Sequence, residues 1–423
     1  MAELLIKNVR AVDENCDMVC DVLIENGVIA QVSEAIDTAA DRVIDGSGKV
    51  LMPSLFDMHV HFRDPGFTHK EDIITGCMAC AAGGVTGAAC MPNTKPAIDN
   101  TETVKYIIDK AKDTGVEVYP VGCITKGMSG GELADFEELK NAGVRLISDD
   151  GRPVENAELM RQALELTKEN GLLAVSHCED LNIINGGIIH KGKISEQLGV
   201  KGMDRASEDS VTAREITLAM SCDARVHICH VSTEGCINMI RDAKKAGVKV
   251  TCETAPHYFT YTDEKLLKRD ADYRMNPPLR EERDRLAVLQ GVLDGTVDCI
   301  VTDHAPHAAE EKADFLKAPN GVVGLETSLA VTLTELYHTG KISLNRIVTL
   351  MSAEPRRLLG LPVTEIKIGS SADLVLVDTE AEWTVDPEKL HSKSKNTVFK
   401  GEKLKGRPVM TVSKGRIIFE LAE

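Results

Sequence analysis

Asp57-Met58-His59-Val60-His61-Phe62-Arg63-Asp64-Pro65-Gly66 follows a run of apolar residues, Val50, Leu51, Met52, Leu55 and Phe56. The run reads as a buried strand that ends in two histidines. Side chains two residues apart on a strand point to the same face. His59 and His61 can therefore offer two imidazoles to one point, the first requirement of a metal site. Arg63 continues that parity just past the strand end, where a guanidinium could hold an anion beside the metal. A histidine pair in a strand can also be a plain hydrogen-bonded pair. Its meaning depends on what the rest of the chain brings to the same place.

Outward from this stretch the chain repeats one unit. Apolar, strand-like runs occur at 51–61, 85–90, 117–123, 144–148, 172–177, 225–230, 249–253 and 299–303. Amphipathic helical patterns lie between them, such as 158–169 before Gly171, 236–245 before Gly247 and 283–293 before Gly295. Glycine suits a helix C-terminus because it enters the left-handed region without steric cost. Eight strands alternating with helices predict an α/β fold, a parallel (β/α)8 TIM-type barrel. The ends differ in style. Runs 4–12, 21–32 and 42–51 alternate around Asn26-Gly27 and Gly46-Ser47-Gly48, and runs 372–377, 409–412 and 416–421 end the chain around Lys414-Gly415. These are hairpin signals. They predict a small β-rich domain built from both termini, residues 1–52 and 363–423, around a barrel of residues 53–362.

The length of 423 residues suits a large barrel with a small appendage. Hydrophobic content of 43% and charged content of 27% describe a globular protein with an ample core. The formal charge of -17 argues against nucleic acid or an anionic membrane as a partner. Any anionic substrate must then be held by a local positive cluster. The first twelve residues mix Glu3, Lys7 and Arg10 into a short apolar alternation and lack the pattern of a signal peptide. No apolar run approaches the length of a membrane span. The twelve cysteines read as reduced thiols of a cytoplasmic protein. Cys77 and Cys80 form a C-x-x-C, but Met78, Ala79, Ala81 and Ala82 around them favour a packed helix over redox or metal chemistry.

A barrel assembles its active site where strands end and loops begin. The polar residues there are His59 and His61, Asn93 in Met91-Pro92-Asn93-Thr94, Asp149-Asp150, His177-Cys178-Glu179-Asp180, His227 with His230, and Thr302-Asp303-His304-Ala305-Pro306-His307. Singly, each has a bland alternative: a core histidine, a turn or a surface loop. Together, four histidines and two carboxylates at one mouth could hold two divalent ions with one carboxylate bridging. Zinc suits such mixed nitrogen and oxygen ligands, with manganese or cobalt as alternatives. Spacing leaves Asp149 and Asp150 both open as the bridge. His227 and His230 have opposite strand parity, so a regular strand lets only one face the site.

The order of H-x-H, carboxylate, His, His and Asp resembles the amidohydrolase superfamily. Within it, the stretches DMHVHFRDPG (57–66), MPNT (91–94), HCED (177–180), HVST (230–233), MNPPL (275–279) and TDHAPH (302–307) resemble the bacterial dihydroorotases that use an aspartate bridge. The resemblance covers nearly the whole chain. It implies two zinc ions per chain, one held by His59, His61 and Asp303, the other by His177 and His230, with Asp150 bridging. It implies substrate contacts from His61, Arg63, Asn93, Asn276, His307 and the main chain at Asn320-Gly321. The implied reaction interconverts (S)-dihydroorotate and N-carbamoyl-L-aspartate in pyrimidine synthesis, with Asp303 carrying the proton. A homodimer and an association with aspartate carbamoyltransferase are compatible with it.

Two departures sharpen the reading. Relatives that bridge their metals with a carboxylated lysine need a lysine at the end of strand four, and residues 143–151 contain none. That weakens the hydantoinase, dihydropyrimidinase and allantoinase alternatives. A non-catalytic relative that serves aspartate carbamoyltransferase would have lost ligands, and all six are present. Asn320 stands where the family often has an aromatic residue, which implies a differently shaped pocket wall. The charged, glycine-ended segment 308–324 is expected to be a substrate lid.

Overall fold

The computed structural model describes residues 3–422. Met1, Ala2 and Glu423, which the expected domain limits include, lie outside the described residues. Both ends of the chain enter one sheet. Its strand order is Arg416–Glu420, Lys403–Ser413, Leu374–Thr384, Val50–Pro53, Leu4–Val12, Asp17–Glu25, Val28–Ser33, with Arg42–Asp45 also paired to Leu4–Val12. The join is antiparallel, with Leu374 opposite Pro53 and Val377 opposite Val50. Alternate residues from the two ends, Leu4, Ile6, Val9, Leu51, Leu374, Leu376, Met410 and Val412, share one apolar core. Neither terminal part could bury that face alone.

The expected strand 51–61 is two strands, Val50–Pro53 and Leu55–Val60. Pro53 has no N–H to continue a ladder. The N–H of Ser54 donates to Asp373 O (3.0 Å) and that of Leu55 to Gly84 O (2.9 Å). The chain thus changes partner from the small sheet to the barrel within two residues.

The barrel follows in sequence order. Leu55–Val60, Val85–Cys90 and Glu117–Pro120 pair in parallel, as do Leu146–Ile147, Leu173–Ser176, Val226–Ile228, Val250–Thr254 and Cys299–Ile300. Parallel bridges from Gly122 to Ile147 and from Val60 to His304 join the two arcs into a ring. The interior is filled, not hollow: Phe56, Met58, Ala89, Met91, Val121, Leu146, Leu173, Val175, Cys229, Cys299 and Val301 form one cluster inside it. The helices Ala157–Asn170, Glu234–Lys245 and Glu282–Asp294 match the amphipathic patterns. Gly171 ends the first of them at φ 68°, the left-handed conformation expected of it. Among the described residues no helix is long and apolar enough to cross a membrane.

Cys77 and Cys80 lie in the helix Ile73–Ala82, capped by Asp72, and both are buried. Burial pushes the Cys77 thiol up to about 12 and raises that of Cys80 well above its usual value. A protonated thiol is neither a good nucleophile nor a metal ligand. The double substitution Cys77→Ala/Cys80→Ala is therefore expected to cost roughly 1 kcal/mol of stability per site and to leave metal content unchanged and activity within a few-fold. Loss of metal in that variant would overturn the packing role.

Candidate active site and metal centre

The strand ends deliver the six candidate ligands by leaving regular geometry. A register shift between Asp57 and Val60 lets His59 follow Met58 into the barrel while Val60 packs outward. Asp57 holds this bulge by accepting from the N–H groups of His59 (3.0 Å) and Thr302 (3.1 Å). His230, Asp303 and Arg63 have φ of 31°, 48° and 60°. Non-glycine residues seldom occupy that region, and those that do cluster at functional sites. The same fact resolves the parity conflict at strand six. The ladder stops at Ile228, so His230 turns inward on its own, while His227 stays in the strand and meets Glu253 (3.2 Å) and Thr251 (2.8 Å).

Asp150 sits where the imidazoles converge. Its Oδ1 lies 3.5 Å from His59 Nε2, 3.4 Å from His177 Nδ1 and 3.6 Å from His230 Nε2, and its Oδ2 lies 3.6 Å from His61 Nε2. Asp303 Oδ1 is 3.3 Å from His61 Nε2 and 3.7 Å from His59 Nε2. Asp149 is turned away, accepting from the N–H groups of Ile124 (2.8 Å) and Thr125 (3.1 Å). His59 Nε2 and Asp150 Oδ1 are buried and make no hydrogen bond. Buried polar atoms left without partners are costly. Here they face one another at distances that suit ligands about 2 Å from a common ion. His59, His61 and Asp150 form one group that could hold a metal, and Asp150, His177 and His230 another. The residues fit a metal cofactor.

Two carboxylates and an amide stand behind three of the histidines. Glu253 Oε1 takes His59 Nδ1 (2.6 Å), Asn93 Oδ1 takes His61 Nδ1 (2.9 Å) and Glu179 Oε2 takes His177 Nε2 (3.2 Å). In a neutral ring each pairing leaves the inward nitrogen with a lone pair; the inward nitrogens of His177 and His230 lie 2.9 Å apart. Burial opposes ionisation of Asp150, but His59, His177 and His230 outweigh it and hold the carboxyl well below its usual range. Burial likewise opposes charge on His177, yet Asp150 and Glu179 raise it to about 10. A divalent ion would supply the positive charge that these carboxylates otherwise draw from protonated imidazoles. Sequence reasoning missed Glu253 and Asp57 as supporting groups. The signal was there: an acidic residue inside an otherwise apolar strand run must find a partner.

Comparison with known proteins agrees with this geometry. A family model described as dihydro-orotase-like matches residues 48–235. A dihydroorotase of Trichlorobacter lovleyi is 48% identical over 421 residues, covering 98% of this chain and 99% of that protein. One of Citrifermentans bemidjiense is 49% identical over 422 residues, covering 99% of each. The chain belongs to the dihydroorotase family. Among solved structures, an L-hydantoinase from Arthrobacter aurescens superposes with a TM-score of 0.88 at 26% identity, covering 100% of this chain and 97% of its own. A dihydropyrimidinase from Brevibacillus agri does so at 0.87 and 25%, covering 99% and 95%. The chain is thus a cyclic amidohydrolase with the barrel of that superfamily.

The other residues expected to serve a dihydroorotase site line the same mouth. Arg63 donates from Nε to Pro306 O (3.3 Å); its two terminal nitrogens have no partner among the described residues. Asn93 is tied to His61, and Asn276 donates to Glu179 (3.0 Å). His307 Nε2 donates to Asn320 O (2.9 Å), with Lys70 Nζ 3.3 Å from its Nδ1. Burial, then Arg63, Lys70 and Lys312, push His307 down to about 2, so its ring is neutral. Gly321, at φ 143°, has no room for a Cβ, which would meet Ala305 O at 2.6 Å. Its N–H donates to Arg274 O (3.0 Å). The segment 308–324 lies folded over this rim. Lys312, buried, pins it with Nζ donating to the carbonyls of Arg274 (3.1 Å), Pro319 (3.0 Å) and Gly321 (3.0 Å).

Proposed function

We propose that the chain is a zinc-dependent dihydroorotase, which interconverts (S)-dihydroorotate and N-carbamoyl-L-aspartate in pyrimidine synthesis. His59, His61 and Asp303 would hold one ion and His177 and His230 the other, with Asp150 shared. The observation that carries the reading is Arg63: an unpaired guanidinium beside the converging ligands, in a chain of net charge -17. A ring with an exocyclic carboxylate has a place to bind there, and a neutral ring does not use it. When bound, the ions polarise the ring amide carbonyl and bring the pKa of water toward about 7. Asp303 takes a proton from the attacking water as its oxygen bonds to the carbonyl carbon. It returns that proton to the ring nitrogen as the carbon–nitrogen bond breaks. Arg63, with Asn93 and His307, orients the carboxylate. The twelve cysteines, none paired among the described residues, support a cytoplasmic setting.

The test compares dihydroorotate, hydantoin and dihydrouracil on one zinc-loaded preparation. Dihydroorotate is expected to be turned over in both directions, the uncharged rings poorly. Ring opening creates a new carboxyl of pKa roughly 4 and releases its proton. The equilibrium should therefore move about tenfold toward the open form per pH unit, about 1.4 kcal/mol. Opening should quicken as pH rises through about 7 and closure should be faster at lower pH. Efficient turnover of hydantoin with none of dihydroorotate would overturn the substrate assignment and leave the barrel standing.

A further inference from the structure

Between the strands Leu374–Thr384 and Lys403–Ser413, the chain leaves the small sheet and reaches the mouth of the barrel. The stretch Ser392-Lys393-Ser394-Lys395-Asn396-Thr397 has neither helix nor strand, yet Ser392, Ser394, Asn396 and Thr397 are 1%, 3%, 4% and 0% exposed. Connecting segments normally run over the surface, because irregular backbone and polar side chains need partners when buried. Here the partners are the active-site loops.

Asn396 Oδ1 accepts from the N–H of His307 (3.2 Å), and Nδ2 donates to the carbonyls of Gly321 (2.9 Å) and Ala305 (3.4 Å). Its own carbonyl accepts from the N–H of Val323 (3.0 Å). Four residues earlier, the Ser392 hydroxyl donates to Glu71 Oε2 (2.5 Å), and the N–H of Lys393 donates to the same carboxylate (3.2 Å). Glu71 in turn accepts from His304 Nε2 (3.4 Å), the residue next to Asp303. The stretch 392–396 therefore grips the 302–307 loop at two points, beside the proton carrier and beside the neutral imidazole of the rim.

We propose that residues 392–396 are a strap that completes the active site, with Asn396 a positioning residue that sets His307 and the Asn320–Gly321 main chain for the substrate; this rests on the dihydroorotase reading above. A primary amide supplies an acceptor toward one N–H and donors toward two carbonyls from a single short side chain. Alanine leaves the His307 N–H and the Ala305 carbonyl without partners and the Gly321 carbonyl with Lys312 alone, and aspartate turns a negative oxygen toward two carbonyls. None of these groups belongs to the six candidate ligands. Loss of Asn396 therefore moves the substrate rim and spares the metals, and a rim misplaced by about 1 Å can cost about a hundredfold in rate. Ser392 acts at the other end, through Glu71 and His304, on the placement of Asp303.

The experiment uses the full zinc-loaded chain with Asn396→Ala and, separately, Ser392→Ala. Asn396→Ala is expected to raise KM for dihydroorotate about tenfold or more, with metal content retained and amide exchange faster across 303–323 but unchanged in the other barrel strands. Ser392→Ala is expected to lower kcat more than it raises KM, and it carries the test if Asn396→Ala folds poorly. Wild-type KM and kcat in both variants would overturn the proposal. So would losses of activity that merely follow losses of Tm and metal, since that is the mark of a structural role. If the wild-type chain fails to turn over dihydroorotate, the functional reading falls by itself. The exchange data then decide the strap: local loosening at 303–323 upholds it, and unchanged exchange there refutes it.

Discussion

Asp150→Ala is expected to lose metal and to lower kcat/KM by about a thousandfold or more, the scale of removing a preorganised electrostatic element from an active site. All four candidate imidazoles face this one carboxylate, three at Oδ1 and one at Oδ2. Among the described residues, Asp150 is common to the group with His59 and His61 and the group with His177 and His230. Without Asp150, His59, His61 and His177 keep their outward carboxylate and amide partners, but all four rings lose the anion they share. Two ions brought close without a bridging negative group repel one another, so both affinities should fall together. Asp149 offers no rescue, because Ile124 and Thr125 hold it facing away. The measurement is zinc per chain after dialysis, beside kcat/KM for dihydroorotate. A variant with full metal content and near-normal rate would refute the assignment of the bridge.

Arg63→Met is expected to lower kcat/KM for dihydroorotate by about a hundredfold or more while zinc content stays at the wild-type level. The terminal nitrogens of Arg63 can make two parallel hydrogen bonds to a carboxylate. Hydrogen bonds to charged groups contribute about 1.5–3 kcal/mol each. Two at the lower end amount to about 3 kcal/mol, which is about a hundredfold. Arg63→Lys should recover only part of this, since an ammonium keeps the charge and loses the planar fork. The backbone contributes as well: at φ 60° Arg63 folds back toward Pro306, which keeps the side chain at the mouth. Kinetics with dihydroorotate and metal analysis on the same preparation check this. A near-wild-type kcat/KM would place the substrate carboxylate elsewhere.

Much of this protein is legible in the one-dimensional pattern, because its elements announce themselves locally. Alternation of apolar runs with amphipathic helices marks the barrel, and the helices at 157–170, 234–245 and 282–294 lie where their periodicity puts them. The candidate histidine and aspartate ligands are visible because each falls at the end of a strand-like run. That both termini share one sheet follows from the similar style of their strands. Local pattern does not show where a chain departs from regular geometry, since departures are enforced by distant partners. The break at Ser54 depends on Asp373 and Gly84. The inward turn of His230, against its strand parity, depends on a positive φ that no propensity favours. Asp149 and Asp150 are identical in chemistry and adjacent in sequence. Only the packing of the 124–125 backbone against one of them decides which faces the imidazoles. The same holds for Glu253 behind His59 and for Asn396 behind His307. Each acts through hydrogen bonds to residues roughly ninety or more positions away. Periodicity reports which residues share a face of one element; which elements meet at a point is settled by closure of the barrel.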